Sequence, residues 1–159
     1  MTALDDLCAY FDRLSVTTLD ELGDFYAPDA RFKDPFHEVT GVAAIRAILA
    51  HSFARLPDAR FKVNGRFPGE NGDAMILWRM DFTMPMTRAQ TAIVGATHLE
   101  FDAAGRVTLH RDYWDAAEEL YGRLPVLRWL MRRLARQAAA PGVQAAESWS
   151  TQEQKRNLR

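Results

Sequence analysis

The chain has 159 residues, 48% of them apolar and 26% charged, which are the proportions of one ordinary globular domain and exclude the disordered, collagen-like and disulfide-rich classes. Twenty Lys and Arg against 21 Asp and Glu leave a formal net charge of −1, so no overall field draws the chain to nucleic acid. A single cysteine, Cys8, excludes an internal disulfide and a cysteine-rich zinc site; without a signal segment or an apolar run long enough to cross a bilayer, the chain reads as cytoplasmic.

Leu4, Leu7, Cys8, Tyr10, Phe11 and Leu14 recur at helical spacing behind Thr2, a suitable N-cap, and a second helix is predicted from Thr18 to Tyr26. Ala30 to Asp34 alternates as a short strand, with Phe32 and Asp34 on one side, until Pro35 ends it. Apolar residues at 42, 45, 48, 49 and 53 predict a third helix over 41–56, closed by Pro57. Strands are then expected over about 59–67, 74–86 and 89–102, and a fourth from residue 106. From Pro125 onward, Val126, Leu127, Trp129, Leu130, Met131 and Leu134 interleave with Arg128, Arg132, Arg133 and Arg136, which predicts a basic amphipathic helix over 123–140. A polar tail follows over 141–159, leaving 1–122 as the main domain.

Helix, helix, strand, helix and then four strands in hairpin succession indicate an α+β fold, with a curved antiparallel sheet packed on the N-terminal helices. In RVTLHRDYWDAAEEL the strand half puts His110, Asp112 and Trp114 in one column. Thr97, Leu99 and Phe101 alternate with His98 and Glu100, while Ile76, Trp78, Met80, Phe82 and Met84 form an apolar face that leaves Arg79 and Asp81 on the other. Four scattered histidines lack metal-ligand spacing and no glycine-rich phosphate loop occurs, so neither a metal nor a cofactor is expected.

The run FYAPDARFKDPFHEVTGVAAIRAIL resembles the signature of the nuclear-transport-factor-2-like superfamily, particularly its ketosteroid isomerase and SnoaL-like branches, over about residues 4–120. The resemblance implies a cone whose sheet and helices enclose one apolar pocket, with Phe32, Asp34, His110, Asp112 and Trp114 facing inward. It places Asp34 where the isomerases keep their proton-moving carboxylate, Tyr10 where they keep an oxyanion-holding hydroxyl, and Thr97 where their second oxyanion donor, a protonated aspartate, stands. HRDYWDAAEE looks in turn like the strand end of limonene epoxide hydrolases, which would pair Asp112 with Arg79 and Asp81 of WRMDF, although Phe32 and Asp34 replace that family's water-holding tyrosine and asparagine.

The expectation is therefore a SnoaL-like protein that takes a polyketide, steroid, terpenoid or lipid-derived ligand through cofactor-free isomerisation, cyclisation or hydration. Asp34 would be the base, Asp112 the partner acid, Tyr10 the oxyanion donor and His110 the orienting group, with Phe32, Phe82, Met84, Thr97, Leu99 and Trp114 lining the pocket. The competing expectation is a ligand-binding or accessory dimerisation module without turnover. In that case Tyr10 merely packs, Asp34 accepts hydrogen bonds in a turn, and His110 and Asp112 bond each other at the rim. A homodimer through the convex sheet face is expected from the resemblance. The basic helix either covers the cone or its dimer partner, or touches an anionic membrane through residues 125–137.

Overall fold

The computed structural model describes residues 2–115 except Met86; the expectations for the basic helix, the tail and their membrane contact lie outside the described residues. Helix α1, Ala3–Asp12, opens with a capping box in which Thr2 and Asp5 satisfy each other's backbone N–H. It buries Leu7, Cys8, Tyr10 and Phe11. The predicted second helix is shorter than its spacing suggests: a 3₁₀ segment, Val16–Glu21, leads into one turn, α2, Leu22–Phe25. Tyr26 already begins strand β1, Tyr26–Lys33. A three-residue strand not expected from sequence, β2, Glu38–Thr40, doubles back on it. Helix α3, Val42–Arg55, and strands β3, Arg60–Pro68, β4, Asp73–Thr83, β5, Gln90–Phe101, and β6, Val107–Tyr113, follow close to their expected places.

The six strands form one sheet in the order β2-β1-β6-β5-β4-β3. Its pairings are antiparallel except β1 with β6, which is parallel. This corrects the expected antiparallel sheet to a mixed one: β1 and β6 lie too far apart in sequence for a hairpin to fix their direction. The inner face carries Ala74, Ile76, Trp78, Phe82, Ile93, Thr97 and Leu99, all buried, against Leu7, Tyr10 and Phe11 of α1 and Ile45 and Phe53 of α3. The outer face carries Leu77 and Val94, both exposed, with Arg79 bonded to Asp81 and His98 near Asp73.

Two irregularities shape the inner face. Opposite β5 the register of β6 slips between Leu109 and Val107, an extra residue that turns Val107 inward to full burial. Unbroken alternation along β6 would put Val107 outside with Leu109. Along the parallel pairing, β1 advances from Tyr26 to Arg31 while β6 advances only from Val107 to Leu109. That slack folds the start of β1 into the core, where Tyr26 is buried.

Candidate functional site

His110 and Asp112 do lie on the inner face, and they stand at the centre of a chain of hydrogen bonds. Tyr26 Oη is 2.7 Å from His110 Nδ1, and His110 Nε2 is 2.9 Å from Asp112 Oδ1. Thr97 Oγ1, opposite Asp112 across the β5–β6 ladder, donates to the same Oδ1 at 2.5 Å. Trp78 Nε1 donates to Thr97 Oγ1 at 2.8 Å. The imidazole is wrapped by rings, with Phe32 4.8 Å, Phe11 5.8 Å and Tyr26 6.0 Å away between centroids.

The direction of each bond follows from chemistry. An indole N–H only donates, so Thr97 has its own proton left for Asp112; a carboxylate only accepts, so His110 meets it as Nε2–H; in the neutral imidazole the remaining Nδ1 then accepts from the Tyr26 hydroxyl. Burial first, and then the charge of Asp112 and the neighbouring Tyr10, hold the Tyr26 phenol well above its ordinary range, so it keeps its proton at neutral pH. Both hydrogen bonds to Asp112 fall on Oδ1. Among the described residues, Oδ2 takes none.

These groups border a cavity of about 50 Å³ whose other walls are Phe11, Leu14, Phe32, Leu49, Phe61 and Val63. That is room for about four water-sized groups. Asp112 also borders a wider depression of about 490 Å³ lined by Lys33, Asp34, Pro35, Arg111, Tyr113, Trp114 and Asp115. Asp112 is common to the linings of both spaces. Gly95 makes the inner wall possible. It sits across from Trp78 in the ladder, and a Cβ there would lie 2.5 Å from the indole ring, so only glycine lets the ring lie against β5 with Nε1 reaching Thr97.

The expected site residues divide into three groups. Phe32, Thr97, His110 and Asp112 come together at the inner cavity, and Asp34 and Trp114 border the outer depression. Asp34 follows the last residue of β1, and its Oδ1 accepts from the backbone N–H of Phe36 at 2.7 Å and of His37 at 2.6 Å, with His37 Nδ1 at 3.1 Å. Trp114, beyond β6, meets the edge of Phe36. Tyr10 lies behind the cavity, stacked 4.4 Å from Phe25, with its hydroxyl donating to the Thr18 carbonyl at 3.0 Å. Burial and then Glu21 push this phenol up to about 12. Phe82 and Leu99 belong to the packed core, Met84 rests against it, and none of the three borders the cavity.

Arg79 and Asp81 bond each other at 2.7 Å on the strand side opposite Trp78 and Phe82. The epoxide-hydrolase constellation is thus not assembled: strand alternation sends its arginine and one of its aspartates to the other face from Asp112. Sequence reasoning missed Tyr26, since the spacing from Thr18 ran it into a helix. An alternation of Tyr26, Ala30 and Phe32 interrupted by Pro28 was its faint signal. The polar role of Trp78 was missed too, because an indole in an apolar column reads as packing.

The SnoaL-like domain family, by its sequence profile, matches residues 7–110. Several solved structures share the fold. A protein with a ketosteroid isomerase-like fold from Catenulispora acidiphila DSM 44928, solved with trimethylamine, superposes with a TM-score of 0.64 at 18% identity, covering 76% of this chain and 92% of that one. A proposed SnoaL-like polyketide cyclase from Jannaschia sp. CCS1 gives 0.63 at 16% identity, covering 73% and 87%. An NTF2-like protein of unknown function from Exiguobacterium sp. 255-15 gives 0.61 at 19% identity, covering 72% and 98%. No curated protein matches the sequence. With most of its length matched by the family profile and its six-stranded sheet laid over the described helices, the chain belongs to the SnoaL-like domain family.

Proposed function

We propose that the protein binds a small, mainly apolar molecule against Asp112 and moves a proton on it without a cofactor, in an isomerisation, ring closure or addition of water. The observation that carries this reading is Asp112 itself: a carboxylate with one oxygen held by His110 and Thr97 and the other without a described partner, at the end of an apolar cavity. Such a group is oriented for general base catalysis, a contribution of roughly 10²–10⁴ in rate. His110 orients the carboxylate, because both of its ring nitrogens are engaged and neither is left for the ligand. The ligand class is polyketide, steroid, terpenoid or lipid-derived, with its reacting group in the inner cavity and its bulk across the outer depression. Relatives of the same fold described as a polyketide cyclase and an isomerase support that choice.

A non-catalytic binding module is the second reading, and the placement of Tyr10 and Asp34 favours it. Both groups are engaged by Thr18 and by the backbone of the 34–37 turn, so among the described residues one carboxylate, Asp112, borders the inner cavity. In either reading the outer face, with exposed Leu77 and Val94 beside the Arg79–Asp81 pair, forms the contact of a homodimer. The deciding experiment incubates wild type and Asp112→Asn with a cellular small-molecule extract in D₂O. Native mass spectrometry reads what each retains, and exchange of carbon-bound hydrogen or conversion of the retained compound reads turnover. Turnover in wild type and none in Asp112→Asn is expected, with the variant retaining less of the compound; retention by wild type without turnover establishes the binding module.

A further inference from the structure

We propose that the ligand of the inner cavity is a hydrogen-bond donor, which presents an O–H or N–H group to Asp112 Oδ2; this rests on the cavity being the ligand site. The polar side chains bordering the cavity are Tyr26, Trp78, Thr97, His110 and Asp112. With His110 neutral the first four carry one polar hydrogen each, and every one of those hydrogens is already given within the chain: Trp78 to Thr97, Thr97 and His110 to Asp112, Tyr26 to His110. The described side chains therefore offer a ligand acceptors alone, foremost Oδ2.

A bare carbonyl entering this space would set acceptor against acceptor and cover the carboxylate oxygen without giving it a partner, which disfavours binding. An alcohol, phenol, enol or ammonium group would instead make a charge-assisted hydrogen bond. The same inventory bears on the reaction. Removing a C–H proton beside a carbonyl creates an oxyanion that needs hydrogen-bond donors, and none among these side chains has a hydrogen left to give. Removing a proton from a ligand O–H leaves its charge on the group beside Asp112 only as that proton arrives on Oδ2, so the site suits activation of an oxygen nucleophile over enolate formation.

Asp112, which only accepts, commits a neutral His110 to the Nε2–H tautomer, and Tyr26 is the positioning residue that donates to the remaining Nδ1 and fixes the ring between the two. With the opposite tautomer, His110 would donate to Tyr26, whose own proton would then be free to meet a ligand acceptor.

The test is an NMR titration of the full-length protein with cyclopentanol and cyclopentanone, two rings of nearly equal size, together with the ¹⁵N shifts of His110. Cyclopentanol is expected to bind at least about tenfold more tightly, since sites built for one polar partner discriminate strongly against its absence, and His110 is expected as Nε2–H. Asp112→Asn, in which Oδ1 still accepts from His110 and Thr97 while the amide presents hydrogens to the cavity, is expected to reverse the preference. Equal binding or a ketone preference in wild type, or an Nδ1–H imidazole, overturns the donor inference and leaves the cavity a ligand site. If neither probe shifts the cavity residues, the inference and the proposed ligand site fall together.

Discussion

Asp34 and Asp112 make an instructive pair. Each follows an inward ring by two positions, Phe32 in one case and His110 in the other, and those two rings are register partners in the parallel β1–β6 pairing. The local patterns are alike, yet the carboxylates serve different donors. Asp112 still lies within the ladder, opposite Thr97, and alternation holds it on the inner face. Asp34 comes one residue after β1 ends, its N–H already bonded to the His37 carbonyl, and its side chain turns to the backbone donors that Pro35 leaves in the reversal. Period-2 reasoning is valid only as far as the ladder runs, and a proline marks where it stops.

The largest effect that would break this comparison is expected from Asp112→Ala. It leaves the buried His110 N–H and Thr97 O–H without an acceptor, so a loss of about 2–3 kcal/mol is expected in chemical denaturation, along with any preference for a donor ligand. Asp112→Asn keeps the acceptor and should cost about 1 kcal/mol. If the alanine variant were as stable as wild type, the polar chain would not be a stabilising network.

Next in size is Gly95→Ala. Its methyl would meet the Trp78 ring at 2.5 Å, so the indole must shift toward the cavity and lose Thr97; a cost of about 2 kcal/mol and weaker cyclopentanol binding are expected. Unchanged stability, with Trp78 fluorescence unaltered, would show that the ring has slack not visible in its packing. Asp34→Ala sharpens the contrast from the other side. Loss of its turn bonds is expected to cost about 1 kcal/mol, the usual scale for a side-chain acceptor of backbone N–H groups, while probe binding stays within twofold. A large loss of binding would extend the site of these small probes from the inner cavity to Asp34.

How much of this was legible in the sequence depended on range. Helices α1 and α3 and strands β3 to β6 follow from local periodicity and turn residues, and the inward column of His110 and Asp112 follows from alternation alone. The partners of that column did not, for three physical reasons. Tyr26 reaches His110 through a parallel pairing across 84 residues that no hairpin signals. The slip beside Val107 inverts one face locally. Trp78 turns polar only because Gly95, chosen by a contact on the neighbouring strand, lets its N–H reach Thr97. The resemblance to ketosteroid isomerases pointed to the correct fold and directed attention to Tyr10, whose hydroxyl donates to the Thr18 carbonyl, while it offered no signal for Tyr26.

The smallest expected effect separates those two tyrosines from ordinary ones through pH. Burial raises Tyr10 to about 12 and holds Tyr26 well above its usual range, against the ordinary 10.0 that both regain on unfolding. A group whose folded pKa is raised contributes its full stability below the unfolded value, and that contribution fades as pH rises from about 10 toward the folded value, because the unfolded chain releases its proton first. Half a unit above the ordinary value, each tyrosine should account for a loss of about 0.8 kcal/mol. Denaturant midpoints between pH 8 and 11 read this directly. Tyr26→Phe is expected to be less stable than wild type at pH 8, where it lacks the bond to His110, and to lose less between pH 10 and 11, so that the two curves converge. Parallel curves would mean that the Tyr26 phenol ionises in the folded protein as readily as in the unfolded chain, and a phenol that ionises so readily would not hold the His110 ring by donating to Nδ1 through that range.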